Sequence, residues 1–296
     1  MNKGLKILSG ILFIIIVGLI ILTFSSEKQS DNSNIKITTS FYPIFIMTKN
    51  ITVGVQNVEI SNMADQYFGC IHDYALTTED LKKVENSDVF IQSGNGLEPF
   101  SERVVETNKS IKIINCSDDV KDLIENDEGE KNAHTWLSFE NYKKEVKAIA
   151  DKLSKVDENN RTKYEENANN YLKKIDGLEE KYKTLNINNK KAICLDESLE
   201  YILRENNIES TLIETDHDQA SLSAEQVKEI IEKMKNEDIK SIFVTTNDNS
   251  KTAELLARET GAKIYKLNSA MSGDSDNEAF LRIMKENYFV LKQLGE

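Results

Sequence analysis

Residues 138–185 read SFENYKKEVKAIADKLSKVDENNRTKYEENANNYLKKIDGLEEKYKTL, and this proline-free segment separates two halves of the chain with similar patterns. Apolar residues recur at helical spacing on both sides of Asp157, which interrupts the pattern. They are Tyr142, Val146, Ile149 and Leu153 before Asp157, and Tyr164, Ala168, Tyr171, Leu172, Ile175, Leu178, Tyr182 and Leu185 after it. This spacing predicts two helices, the second of them long, in a spine over residues 138–190. A spine between two lobes favours a ligand site in the cleft between them.

The half before the spine, residues 35–137, alternates between strand and helix signals. The predicted strands cover 35–39, 58–60, 89–92 and 111–116, and the predicted helices cover 44–50 and 77–85. The sequence Thr77-Thr-Glu-Asp80 resembles a capping box and supports a helix start at that point. Alternation of this kind predicts a mainly parallel sheet.

The half after the spine, residues 191–296, repeats the alternation with a regular period. Strands are predicted at 192–195, 210–213, 241–245 and 263–267, and helices at 199–204, 224–235, 251–260 and 278–294. Ser223-Ala-Glu-Gln226 is a capping box, and Gly261 is placed to end a helix. The predicted fold class is therefore α/β, with two lobes of mainly parallel sheet joined by one long rigid helix.

The composition limits the classes of partner. The chain has 37 basic and 50 acidic side chains and a net charge of −13, which argues against nucleic acid or anionic lipid as a partner. Three cysteines, Cys70, Cys116 and Cys194, lie far apart without CxxC spacing. They indicate buried free thiols rather than a disulfide framework or a zinc-thiolate cluster.

The N-terminus carries an export signal or membrane anchor, predicted over residues 1–26. Lys3 and Lys6 precede an apolar run over residues 7–24, which is about as long as a membrane span. The flanking charges place the N-terminus inside and the remainder outside the membrane. A polar linker is predicted over residues 27–34, and whether the apolar segment is cleaved stays open.

Four polar residues fall where open α/β sheets place ligands, beyond the carboxyl ends of strands or at the lobe boundary. They are His72, His134, Asp196 and Asn268. Each has a plain structural alternative: a histidine that only hydrogen-bonds to backbone, a helix N-cap for Asp196, and a turn residue for Asn268. The single tryptophan, Trp136, next to His134, could simply pack under the spine.

Several motifs together resemble the metal-binding substrate-binding proteins of bacterial ABC transporters for zinc and manganese. The similarity runs through essentially the whole exported part. The motifs that carry it are Ser40-Phe-Tyr-Pro43, His72-Asp-Tyr74, Gly94-Asn-Gly96-Leu-Glu98, Asn132-Ala-His134-Thr-Trp136 and Leu255-Leu-Ala-Arg-Glu-Thr-Gly-Ala262. The fourth of these departs from the family's pattern at Ala133, where the family has proline.

The resemblance implies a monomeric, non-enzymatic, extracytoplasmic protein that delivers Zn²⁺ or Mn²⁺ to an ABC permease and its ATPase. It places the metal ligands at His72, His134, Asp196 and Asn268. His217 has no ligand counterpart in the family and is expected to be a solvated loop residue. The family's histidine-rich acidic loop corresponds to residues 117–131, which contain no histidine. The family's lipid-attachment cysteine is missing after residue 24, which favours anchoring by the apolar segment itself.

Two imidazoles, one carboxylate and one amide oxygen form a harder ligand set than three histidines. This set leans toward manganese by ligand type, while zinc keeps the higher intrinsic affinity. Other classes remain at this point: a metal hydrolase with Glu197 as base, a nucleotide-binding protein using Gly94-Asn-Gly96, and a surface protein or adhesin with a vestigial metal site.

Overall fold

The structure is a computed structural model that describes residues 34–64, 71–126, 129–213, 222–248 and 250–295. The predicted export segment, nearly all of the linker, Cys70 and His217 lie outside the described residues. Residues Ile35–Glu296 pack as one compact unit. Within the described ranges, no helix combines the length and the apolar character needed to cross a membrane.

The first sheet is parallel and has the strand order β2-β1-β3-β4. Its strands are β1 (Ile35–Thr39), β2 (Val58–Asn62), β3 (Val89–Gln92) and β4 (Lys112–Asn115). The helices that accompany it are α1 (Tyr42–Thr52), α2 (Thr78–Glu85) and α3 (Ser101–Thr107). Thr77 and Asp80 form the capping box predicted at the start of α2. The pattern did not predict α3, whose N-cap residue, Phe100, makes no side-chain cap.

The spine consists of two helices, α4 (Phe139–Val156) and α5 (Arg161–Tyr182). Asp157 ends α4 as predicted: its amide donates to the Leu153 carbonyl, and its carboxylate accepts from the Tyr164 hydroxyl at 2.8 Å. The helices pack antiparallel, with the hydroxyls of Tyr142 and Tyr171 at 2.8 Å. Helix α5 has 22 residues, about 33 Å at 1.5 Å per residue, and leads into the second sheet.

The second sheet is also parallel and repeats the strand order of the first, as β6-β5-β7-β8. Its strands are β5 (Lys190–Cys194), β6 (Ile208–Leu212), β7 (Ser241–Thr245) and β8 (Lys263–Leu267). Its helices are α6 (Glu200–Glu205), α7 (Ala224–Asn236), α8 (Lys251–Thr260) and α9 (Ala279–Gly295). Gly261 ends α8 with a left-handed φ of 72°, which glycine adopts without steric cost.

The larger core runs through both halves and includes residues of both sheets and of the spine, such as Phe90, Tyr142, Ile175, Phe243 and Phe280. A smaller core, with Ile193, Met234, Ile242 and Leu256, lies among the second sheet, α7 and α8. Cys116 and Cys194 are buried free thiols, as predicted.

The last helix returns to the first half of the chain, where α9 packs on α1 and α5. Tyr42 on α1 donates to the carbonyl of Asp274 at 2.6 Å, and Asn50 donates to that of Asn277 at 3.1 Å. The predicted fold, two parallel α/β lobes joined by a long helix, is confirmed. The proposed boundaries at residues 137/138 and 190/191 stay a prediction, because the unit packs as a whole.

Candidate metal centre

His72 follows β2 in a single helical turn, Ile71–Asp73, at the carboxyl edge of the first sheet. The turn is fixed by buried Ile71 and by a hydrogen bond from the Tyr74 amide to the Ile71 carbonyl at 3.1 Å. The imidazole is half-exposed, with 38% of the side chain accessible. His72 therefore faces solvent on a short turn whose anchor is in the core.

His134 lies between β4 and the spine and is buried, with 3% of its side chain accessible. Its amide donates to Asn132 Oδ1 at 2.9 Å, and its ring lies 5.2 Å from that of Trp136. The indole of Trp136 is itself buried, meets Phe41 edge-on and donates to the Ser269 carbonyl at 2.9 Å. Trp136 is thus buried, as the structural alternative predicted. It also contacts the His134 imidazole and hydrogen-bonds to the second half of the chain.

The third member of the group is Glu197, immediately after β5. Its Oε1 lies 3.9 Å from His72 Nε2 and 3.8 Å from His134 Nδ1, and the two imidazole rings are 5.1 Å apart at their centroids. One possible ligand atom from each of the three residues lies within 4.8 Å of the others. Among the described residues this is the group of histidine and acidic side chains that could hold a metal ion.

Asp196 and Asn268 have local backbone roles. Asp196 Oδ1 accepts from the Ser198 amide at 3.0 Å and from the Ser198 hydroxyl, which caps the turn Glu197–Leu199. Asn268 Oδ1 accepts from the Ala270 amide at 2.9 Å, and the Asn268 backbone pairs with the buried Asn287 side chain. These are the cap and turn roles that the sequence left open. His217, outside the described residues, has no position to compare.

The chemistry of the group fits a divalent transition metal. Imidazole nitrogen and carboxylate oxygen both ligate Zn²⁺ at about 2.0–2.2 Å, so two donors on one tetrahedral ion lie roughly 3.3 Å apart. The observed separation of 3.9 Å between Glu197 Oε1 and His72 Nε2 is close to that value. His134 is held in the core, whereas His72 and Glu197, at 38% and 37% exposure, can adjust by side-chain rotation.

Two buried carboxyls lie behind this group. Glu145 on α4 accepts from the hydroxyl of Thr135, next to His134, and its pKa is raised to about 8, mainly by burial and in smaller part by nearby Glu98. Burial raises the pKa of Glu98 to about 7, although the amides of Ser93 and Gly94 and the Ser40 hydroxyl bond to its carboxylate.

The conformation of the Gly94-Asn-Gly96 loop serves to bind the carboxylate of Glu98. Gly94, Asn95 and Gly96 all have positive φ, and this conformation directs the Ser93 and Gly94 amides onto Glu98 at 2.7 and 3.0 Å. Those two amides are therefore hydrogen-bonded within the protein. In a nucleotide-binding loop, the corresponding amides would be free to bind phosphate. A Cβ at position 94 would lie 3.1 Å from Asn115 Cβ, so glycine is also needed for space.

The sequence pattern indicates Glu197 only as a base for a hydrolase and does not indicate a role for Glu145. A signal for Glu145 exists, because it stands three residues after Tyr142 and four before Ile149, on the apolar face of α4. No comparable signal separates Asp196 from Glu197. Which of two adjacent side chains faces the cleft depends on the turn after β5.

The model of the family described as zinc-uptake complex component A, periplasmic, matches residues 37–294. The zinc-binding lipoprotein AdcA of Streptococcus pneumoniae is 25% identical over 93% of this chain, which spans 58% of AdcA. The high-affinity zinc uptake system protein ZnuA of Bacillus subtilis is 27% identical, covering 90% of this chain and 91% of ZnuA. Among solved structures, FpvC of Pseudomonas aeruginosa in complex with Mn²⁺ superposes with a TM-score of 0.79 at 25% identity, covering 89% of this chain and 98% of FpvC.

Proposed function

This chain belongs to the family of periplasmic component A of zinc-uptake complexes, and we propose that it captures Zn²⁺ or Mn²⁺ for uptake by an ABC transporter. Its direct partners are the metal ion, a permease and the ATPase of that permease. The relatives support both metals, since AdcA is a zinc-binding lipoprotein and FpvC was solved with Mn²⁺.

The observation that carries the proposal is the convergence of His72, His134 and Glu197 at the facing edges of the two sheets. The two imidazoles come from the first half of the chain and the carboxylate from the second. A bound ion would therefore tie the halves together, as expected of a protein that holds and releases a small cargo.

We assign the ligands as His72, His134 and Glu197, with Asn268 or water completing the shell. Glu197 takes the place of Asp196 in this proposal, because Glu197 Oε1 approaches both imidazoles and Asp196 is not part of the group whose possible ligand atoms lie within 4.8 Å of one another. The ligand set keeps two nitrogens and one carboxylate. It stays harder than a three-histidine site and leaves manganese favoured by ligand type and zinc by intrinsic affinity.

The protein is proposed to be a binding protein and not an enzyme. In a zinc hydrolase, a base separate from the metal ligands activates the bound water. Glu197, the residue that the hydrolase hypothesis needs as that base, lies within the ligand group itself. A turnover assay on generic esters with the metal-loaded protein should give no activity above that of free metal.

Attachment to the outer face of the membrane is proposed to occur through residues 7–24, with the folded part as a monomer outside. The proposal rests on the apolar run and on the lack of a cysteine directly after it. Cell fractionation should recover the full-length chain with membranes and without an acyl group. A secreted form that begins near residue 26 would show a cleaved signal peptide.

Metal titration tests the function directly. A ligand that binds only the folded state at a hundredfold excess over its Kd stabilises the protein by about 2.7 kcal/mol. Zinc or manganese should therefore raise the melting temperature, and magnesium should not. Because the imidazoles must be neutral to bind, affinity should weaken as pH falls and the histidines become protonated. A chain that responds to neither metal in calorimetry or melting would be a surface protein with a vestigial site.

A further inference from the structure

Asn132 uses every one of its polar groups and is buried, with 7% exposure. Its amide donates to the Ile124 carbonyl at 2.8 Å, and its carbonyl accepts from the Tyr201 hydroxyl at 2.7 Å. Its side-chain Nδ2 donates to the Glu197 carbonyl at 2.8 Å and to Glu200 Oε2 at 2.9 Å. Its Oδ1 accepts from the His134 amide and lies 3.0 Å from His134 Nδ1.

The orientation of this carboxamide is fixed by its partners. The His134 amide can only donate, so Oδ1 must face it, and the Glu197 carbonyl and Glu200 carboxylate can only accept, so Nδ2 must face them. A flipped carboxamide would place Nδ2 against the His134 amide, donor against donor, and Oδ1 against the oxygens of Glu197 and Glu200, acceptor against acceptor. The acceptor that meets His134 Nδ1 is therefore defined by three independent neighbours.

An acceptor at Nδ1 selects one form of the neutral imidazole. Because Oδ1 cannot donate, the 3.0 Å contact requires the hydrogen on Nδ1, and the lone pair then resides on Nε2. Ligating histidines commonly donate their other nitrogen in this way, which fixes both tautomer and ring orientation. The contact thus decides which nitrogen of His134 can bind an ion, although Nδ1 is the one that lies 3.8 Å from Glu197 Oε1.

The other face of the same carboxamide reaches the second half of the chain. Glu197 and Glu200 belong to the turn after β5 and the start of α6, and Tyr201 adds a third hydrogen bond to residue 132. The Asn132 side chain therefore hydrogen-bonds to the backbone of two proposed ligands, the buried His134 and the more exposed Glu197. Its position couples the geometry of a ligand from one half to that of a ligand from the other.

We propose that Asn132 is a positioning residue for metal capture: its carboxamide holds His134 in the Nδ1–H form, so that Nε2 binds the ion, and docks the turn that carries Glu197. This inference rests on the proposed metal-binding function. It goes beyond that function by naming the ligating atom and the residue that couples the two halves.

The test uses the full-length chain in detergent with ¹⁵N-labelled histidine. Only three histidines occur, so the ring nitrogens of His134 can be assigned with His72→Ala and His217→Gln variants. Metal-free protein above pH 7.5 should show a proton on Nδ1 of His134, and added Zn²⁺ should shift Nε2. A proton on Nε2, or metal binding through Nδ1, would overturn the proposal.

Two substitutions separate the roles of the two faces. Asn132→Ala removes both and should weaken zinc binding by about 10- to 100-fold, the usual range for residues behind metal ligands, and mix the two tautomers. Asn132→Asp keeps the acceptor toward His134 but loses the donors to Glu197 and Glu200. It should keep the Nδ1–H form while still losing affinity. An unchanged tautomer and affinity in Asn132→Ala would contradict the proposal.

Asn50→Ala is the matched control. Asn50 is also a buried asparagine that connects distant parts of the chain, because its Nδ2 donates to the Asn277 carbonyl as well as to that of Ile46 on the same helix. Neither partner belongs to a segment that carries a proposed ligand. It should lower the melting temperature while leaving the His134 tautomer and the zinc affinity unchanged. If Asn132→Ala does not fold, the wild-type tautomer and Asn132→Asp still decide the matter. Failure of the wild type to bind metal would refute the proposed function instead, whatever the tautomer.

Discussion

The two sheets share one strand order, yet their carboxyl edges are built differently. At the first edge, Glu98 and Glu145 are buried, the Gly94-Asn-Gly96 loop closes over Glu98, and His134 is 2% exposed. At the second edge, Asp196 and Glu197 are only partly buried and sit on a capped turn. His72 belongs to the first half of the chain, but its side chain is as exposed as that of Glu197 at the second edge.

The difference shows that burial, rather than position in one half or the other, separates the proposed ligand residues. His134 is part of a packed and hydrogen-bonded region, so its position is determined by folding. His72 and Glu197, the other two proposed ligands, have more than a third of their side chains exposed and take little part in the core. Substitutions of the buried ligand should therefore affect folding and binding together, whereas substitutions of the exposed ligands should affect binding alone.

The largest contrast is expected between His134→Ala and His72→Ala. Both should raise the zinc Kd by more than about a hundredfold, beyond the range typical of residues behind the ligands. Only His134→Ala should also lower the free energy of unfolding of metal-free protein, by about 2 kcal/mol, because it opens a gap beside Trp136 and removes the bond between the imidazole and Asn132 Oδ1. Calorimetric titration and urea denaturation would measure the two effects. Equal losses of stability would remove the distinction drawn from burial.

The two buried carboxyls at the first edge, Glu98 and Glu145, predict that stability depends on pH. Because burial raises the pKa of Glu98 to about 7 and of Glu145 to about 8, both favour the protonated form in the folded chain. Their contribution is complete below the unfolded value, near 4.5, and is lost as pH rises toward 8. Each unit of pKa difference corresponds to about 1.4 kcal/mol, so metal-free protein should unfold more easily at pH 8 than at pH 5.5.

Glu145→Gln should flatten this dependence, since its amide stays neutral at every pH. The difference in unfolding free energy between variant and wild type should shift in favour of the variant by about 2 kcal/mol between pH 5.5 and 8. Asp151→Asn, at an exposed position on the same helix, is the control and should keep the wild-type slope. An unchanged slope in Glu145→Gln would mean that Glu145 does not titrate in this range.

At the second edge the expected effects are smaller and separable. Glu197→Ala should weaken zinc binding by about tenfold or more without lowering the stability of metal-free protein. Asp196→Ala should do the reverse, leaving affinity within about threefold and costing about 1 kcal/mol of stability through the lost cap. His217→Ala should change neither quantity. The opposite pattern for Glu197 and Asp196 would restore Asp196 as the third ligand.

The fold was predictable because its strands and helices are locally consistent. The capping box at Thr77, the break at Asp157 and the helix end at Gly261 are each encoded within a few neighbouring residues. The helix α3 was missed because Phe100 supplies no side-chain cap and the segment is short. Local pattern was sufficient wherever a local hydrogen bond specified the element.

The site was predictable only in part, for a physical reason. His72 and His134 stand out as two of three histidines, and their strand-end positions lead to the cleft. The proposal of Glu197 in place of Asp196 depends on the orientation of one turn, and the proposed role of Asn132 depends on a contact between residues 65 positions apart in the sequence. Such contacts follow from tertiary packing and leave no periodic signal in the chain.

The return of α9 to α1 has a consequence for the speed of folding. Tyr42 and Asn50 meet partners 232 and 227 residues later in the chain, so their hydrogen bonds close loops that are nearly as long as the protein. Closing such loops loses chain entropy before any contact is gained, and proteins rich in distant contacts fold slowly. The contacts between α1 and α9 should therefore form late, and refolding should be limited by the rate at which these two helices pair.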